Sequence, residues 1–125
     1  MTSVSTGAGC ARRRPGRLKA MPAFTIDETA REDGVELDLA GDLDMSATFA
    51  LEPVLDRLLA DDPRGLVLDL EGVDFVDSSG LGLLVATHER ATREGVDMAI
   101  TGVGPEIQRV FAIAGLDGVL PVRPA

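Results

Sequence analysis

The sequence predicts an α/β domain, with a mixed sheet of four to five strands, parallel central strands and about three main helices. Short alternating or wholly apolar runs recur between segments whose apolar residues fall at helical spacing, in the order β-β-α-β-α-β-α-β. The strand-helix-strand units have crossover length, which makes neighbouring strands parallel and their connections right-handed. The 125 residues suffice for one domain and not two, and an apolar content of 45% is enough to give that domain a core.

Residues 1–20 hold Ser, Thr, Gly and Arg with few large apolar side chains, so burial cannot offset the entropy of ordering them. They are expected to be a disordered basic leader, either an arm for an acidic partner or a stretch ahead of a true start at Met21. The folded domain is expected over 21–125. Phe24 and Ile26 alternate within Ala23 to Glu28, and Val35, Leu37 and Leu39 repeat the pattern after the turn signal Asp33-Gly34, which predicts a β-hairpin. Glu36 and Asp38 alternate with these residues, so one sheet face should be buried and the other polar. Gly41-Asp42-Leu43-Asp44 should end the second strand in a loop, with Ser46 as a cap for the helix beyond it.

Leu51, Val54, Leu55, Leu58 and Leu59 fall on one helical face. Pro53 is best tolerated in a first turn, so the regular helix should start near Ala50 and Ser46 to Phe49 should be looser. Asp61-Asp62-Pro63 stops it. Gly65 to Leu70 reads as a central strand. A second helix should run from about Ser79 to Glu94 with Gly95 beyond its end, burying Leu81, Leu84 and Val85, with His88 and Ala91 at the edge. Val96 to Thr101 is a further strand, Pro105 opens a last helix that runs until Gly115, and Val119, Leu120 and Val122 form a short closing segment.

Charge and composition exclude several function classes. Before Met21 the chain has five basic residues and no acid; from Met21 on it has seven basic and 21 acidic residues, a formal −14. Such a charge repels phosphate backbones, and 3% aromatic residues provide no platform for stacking bases, so nucleic acid is not an expected direct partner. The single cysteine, Cys10, allows no internal disulfide, which fits a reducing cytoplasm. No apolar run approaches the ~20 residues of a membrane span, and no secretory segment is visible.

The stretch Asp77-Ser78-Ser79-Gly80-Leu81-Gly82, between a strand and a helix, concentrates the remaining chemistry. Asp and Ser oxygens suit the free N–H groups of a first helical turn, and two glycines there weaken the helix in a way that favours close approach of another molecule. Catalysis is not expected. Ser78 would need a base, and His88, the only histidine, lies ten residues along the same helix, roughly 15 Å away. Asp42, Asp44, Asp74 and Asp77 lack the spacing and the His or Cys partners of a metal site, and no phosphate-binding glycine motif is present, so neither metal nor cofactor is expected. What remains is a displayed hydroxyl. Phosphate on it would add about −1.5 to −2 charge at a helix N-terminus, where the dipole tolerates it, while changing the local surface seen by a partner.

That motif, preceded by Leu66-Val67-Leu68-Asp69-Leu70 and Gly41-Asp42-Leu43-Asp44 and followed by Gly102-Val103-Gly104-Pro105 and Ala114-Gly115-Leu116, resembles the STAS-domain family of bacterial anti-sigma factor antagonists over about residues 23–122. The resemblance implies a STAS-like single domain in which Ser78, the first serine of the Asp-Ser-Ser-Gly motif, is phosphorylated. It further implies an anti-sigma factor serine kinase of the GHKL type as partner, captured by the unphosphorylated chain so that a sigma factor is freed, and a serine phosphatase that resets the switch. Asp44, Asp77, Ser78, Ser79, Gly80, Leu81 and Gly82 are the partner-binding residues it implies. A non-phosphorylated adaptor module in a sensory or lipid-transport assembly is the alternative. Pro53 and the basic leader depart from the family pattern.

Overall fold

The computed structural model describes residues 24–123, so the expected leader, residues 1–20, lies outside the described residues. The hairpin forms as expected from β1 (Thr25–Arg31) and β2 (Gly34–Leu43), which pair antiparallel. Helix α1 (Met45–Ala60), β3 (Gly65–Val76), α2 (Ser78–Glu94), β4 (Asp97–Thr101) and α3 (Pro105–Ile113) come next along the chain. The four strands lie in the order β1-β2-β3-β4, with β2, β3 and β4 parallel. Among the described residues, the closing segment adds to the sheet edge one parallel bridge, from Ile100 to Val122.

Leu37, Leu39 and Leu43 of β2, Leu66, Leu68 and Leu70 of β3, and Met98 and Ile100 of β4 build one buried cluster with Leu51, Leu55, Leu58 and Leu59 of α1, Leu84 and Ala91 of α2, and Ile107 and Phe111 of α3. Each large side chain so buried is worth roughly 1.5–3 kcal/mol. No described helix is long and apolar enough to cross a membrane.

Four expectations need correction. The second strand does not end before Gly41: it runs to Leu43, which is fully buried and pairs with Val76. The central strand does not stop at Leu70: it runs on to Val76, and its register against β2 shifts twice, between Asp38 and Ala40 and between Gly41 and Asp42. Each shift places one extra residue on β3, which is why its inward residues change from a spacing of two to Leu70, Val73 and Val76. Helix α1 begins at Met45, not near Ala50, and carries Pro53 in its interior. Pro53 removes the N–H that would bond the Phe49 carbonyl, but both residues are exposed, so water can serve that oxygen while buried Ala47 and Leu51 hold the first turns down. On α2 the buried line is Gly80, Leu84, Thr87 and Ala91, with Leu81, Val85 and His88 half-buried. Thr87 is tolerated there because its hydroxyl donates to the Leu83 carbonyl at 2.7 Å.

The expected polar sheet face is present. Register aligns Asp27, Asp38 and Asp69 across β1, β2 and β3, and carboxylate oxygens of Glu36, Asp38 and Asp69 lie within 4.8 Å of one another. Partial burial, then a hydrogen bond and repulsion from Glu36, then the charges of Asp69 and Asp27, push the Asp38 carboxyl up to about 7. A carboxyl raised on folding binds protons more readily in the native state, so its stabilising contribution is full below the unfolded value near 3.8 and is lost as pH rises through about 7. Asp38→Asn should therefore stabilise the domain increasingly between pH 4 and pH 7, by about 1 kcal/mol at pH 8 after solvent screening. Urea denaturation of both proteins at pH 5 and pH 8 checks it, and a difference that does not grow with pH contradicts it.

Candidate functional site

Two adjacent parallel strands end level at one edge of the sheet. Leu43 of β2 pairs with Val76 of β3, and the Asp77 N–H donates to the Leu43 carbonyl at 3.3 Å. Each strand is followed by one aspartate and then by a helix. Asp44 Oδ1 accepts the Ala47 N–H at 3.0 Å, and Asp77 Oδ1 accepts the Gly80 N–H at 3.0 Å. These are two N-caps of the same construction, side by side, each worth about 1 kcal/mol. Ser46, expected as a cap, is an exposed residue inside α1 instead: its place is taken by Asp44, whose extended backbone lets its carboxylate reach back over the first turn.

Because Asp77 performs the capping, the Ser78 side chain is not needed for it, and Ser78 is the exposed first residue of α2. Ser79 is half-buried beside it. The N–H groups of Ser78 and Ser79 are among the four that no helix can satisfy internally, so an anion attached at Ser78 meets two donors and the positive end of the helix dipole.

The two glycines separate. Gly80 is buried, and a Cβ there would overlap the Leu43 carbonyl oxygen, lie 2.8 Å from Leu43 Cγ and 3.1 Å from Val76 Cγ1. Its bareness lets α2 start hard against the end of β2, and the expected approach of another molecule is not what requires it. Gly82 is exposed with no atom within 4 Å of a Cβ built on it, so only there does the backbone lie open. Leu81 is half-buried and packs against the core. Of the residues expected to form one site, Asp44, Asp77, Ser78, Ser79 and Gly82 therefore share the surface at this edge, Leu81 contributes part of its side chain, and Gly80 sits beneath.

The charge pattern is one-sided. No Lys or Arg occurs between Glu32 and Asp56 or between Gly65 and Thr87, the two stretches that build this edge. The described ion pairs of α1 and α2, Arg57 with Glu28 at 2.6 Å, Arg90 with Asp56 at 2.7 Å and Arg90 with Glu94 at 3.1 Å, start from the C-terminal halves of the helices. On the two stretches around Ser78, acids stand without a Lys or Arg of the same stretches to compensate them.

Comparison with known proteins agrees with this geometry. Residues 25–125 match the family model of the STAS domain. The anti-sigma-B factor antagonist of Staphylococcus aureus (strain NCTC 8325 / PS 47) is 34% identical over 100 residues, covering 80% of this chain and 93% of that protein. The anti-sigma-F factor antagonist of Mycobacterium tuberculosis (strain CDC 1551 / Oshkosh) is 30% identical, covering 80% of this chain and 81% of its own length. Among solved structures, an anti-sigma factor antagonist from Mycobacterium paratuberculosis superposes with a TM-score of 0.77 at 31% identity, covering 86% of this chain and 92% of that one.

Proposed function

The chain belongs to the STAS domain family, and from that membership we propose that it acts as an anti-sigma factor antagonist switched by phosphorylation of Ser78. The unit responsible is residues 21–125, working in the cytoplasm. Unphosphorylated, it binds an anti-sigma factor that is also a GHKL-type serine kinase, and the sigma factor held by that kinase is released. The kinase then transfers the γ-phosphoryl group of ATP to Ser78 Oγ. The new O–P bond replaces the bond to the β-phosphate oxygen, ADP leaves, and the hydroxyl proton passes to a base on the kinase. A separate serine phosphatase hydrolyses the ester and restores the hydroxyl.

The observation that carries this reading is the division of labour at the head of α2, where Asp77 caps and leaves an exposed serine at the first helical position. The role is regulatory. His88 stands far along α2, so the nearby groups supply charge and shape to a partner and leave the chemistry to it. Incubating the protein with its kinase and ATP should place one phosphate on Ser78, seen by peptide mass spectrometry, and Ser78→Ala should take none. Labelling that persists in Ser78→Ala moves the switch to another residue and defeats the assignment.

A further inference from the structure

We infer that the flank of α1 bearing Met45 and Phe49 is a second part of the docking surface, an apolar anchor that selects which kinase binds and acts independently of the phosphate. This rests on the proposed kinase partner and extends its contact beyond Ser78. Phe49 is 69% exposed and Met45 57% exposed, one helical turn apart on the same flank. Glu52 and Asp56 continue that flank at spacings of three and four, and Asp56 accepts the Arg90 guanidinium of α2 at 2.7 Å, so the Arg90 side chain links the far end of that flank to α2.

On α2 the line leading back from Arg90 passes Ala86 and Gly82, both exposed, to the first turn that carries Ser78. The Arg90–Asp56 pair bridges the two helices over their C-terminal halves. Over their N-terminal halves Met45 and Phe49 stand exposed on α1, Gly82 and Ala86 stand exposed on α2, and half-buried Leu83, seven residues before Arg90, packs on the core between them. Two exposed large apolar side chains beside the proposed switch are a place for a partner's side chain. The surrounding edge has acids and no Lys or Arg from residues 32–56 or 65–87, which fits an apolar residue flanked by Lys or Arg on the kinase.

Leu43 pairs with Val76, and Met45 and Ser78 each stand two residues beyond that pair at the heads of α1 and α2, so a kinase that reaches Ser78 Oγ works beside Met45, with Phe49 one turn further along α1. Phe49 is exposed, so its truncation leaves the core unchanged.

The test uses the full chain and the kinase that labels Ser78, with wild type, Phe49→Ala, Phe49→Leu and Ser78→Ala compared by calorimetric titration and by labelling kinetics. Phe49→Ala should weaken binding on the order of 10- to 100-fold, raise KM with kcat retained, and melt at the wild-type temperature; Phe49→Leu should recover most of the loss. Labelling of wild type with an affinity for Phe49→Ala within twofold of normal overturns this inference alone. No labelling of wild type overturns the proposed function and this inference with it. A dimer of the chain that Phe49→Ala dissociates would make a second copy the occupant, and stronger kinase binding after removal of residues 1–20, seen only with Phe49 present, would make the basic leader the occupant; either result overturns the assignment to the kinase.

Discussion

Once phosphorylated on Ser78, the protein should bind its kinase a few hundredfold more weakly than before, with almost no change in its own stability. The phosphate adds about −1.5 to −2 charge at the first residue of α2, where the N–H groups of Ser78 and Ser79 and the helix dipole offset it, so the folded domain tolerates it. A docked kinase cannot. After transfer the phosphoserine faces the phosphates of the departing nucleotide, with the half-buried acids Asp44 and Asp77 close by and no Lys or Arg from the two stretches that build this edge. Repulsion on the order of 3–4 kcal/mol at an effective dielectric near 20 corresponds to that loss in affinity. Titrating one kinase preparation with both forms, and melting both forms, checks the two halves. Equal affinity, or a large fall in melting temperature, contradicts the account.

Gly80→Ala should destabilise the domain by about 3 kcal/mol, while Gly82→Ala should stabilise it by about 0.5–1 kcal/mol. At Gly80 the added methyl meets the Leu43 carbonyl oxygen and the Leu43 and Val76 side chains, all fixed in the core, so α2 must move away from β2 or β2 must give. Either shift disturbs the two aspartate caps and with them the position of Ser78. At Gly82 the methyl meets nothing, and the gain is that of alanine over glycine in a helix. Urea denaturation of the two single variants separates these outcomes. Equal effects of the same sign would show that Gly80 is not the contact point between α2 and the sheet.

Much of this was legible from residue types. Alternation at Val35, Leu37 and Leu39 and the turn at Asp33-Gly34 locate the hairpin, and Gly95, which adopts φ 75° beyond α2, marks the helix end that its position in the pattern predicts. Asp77 is readable as a helix cap, which its bond to the Gly80 N–H bears out, because short polar side chains before an apolar helix have few other uses. What the pattern misplaced depends on contacts between segments distant in sequence. Pro53 forecasts a late start for α1, but the burial of Ala47 and Leu51 outweighs it, and helix propensity is a weak prior against packing. The spacing of Leu70, Val73 and Val76 fits neither strand nor helix until β2 lies alongside with its two register shifts. Asp44 draws attention through the resemblance to family relatives, but its capping role requires knowing that β2 and β3 end together. Gly80 and Gly82 are indistinguishable as letters and opposite in environment.

The most direct test is a displacement assay. A complex of the kinase and its sigma factor is immobilised through the kinase, and the protein is added in unphosphorylated form, in phosphorylated form, and as Ser78→Ala. The unphosphorylated form and Ser78→Ala should release the sigma factor, and the phosphorylated form should leave it bound. Release by all three alike, or by none while the unphosphorylated form still binds the kinase, would contradict a switch set by phosphate on Ser78.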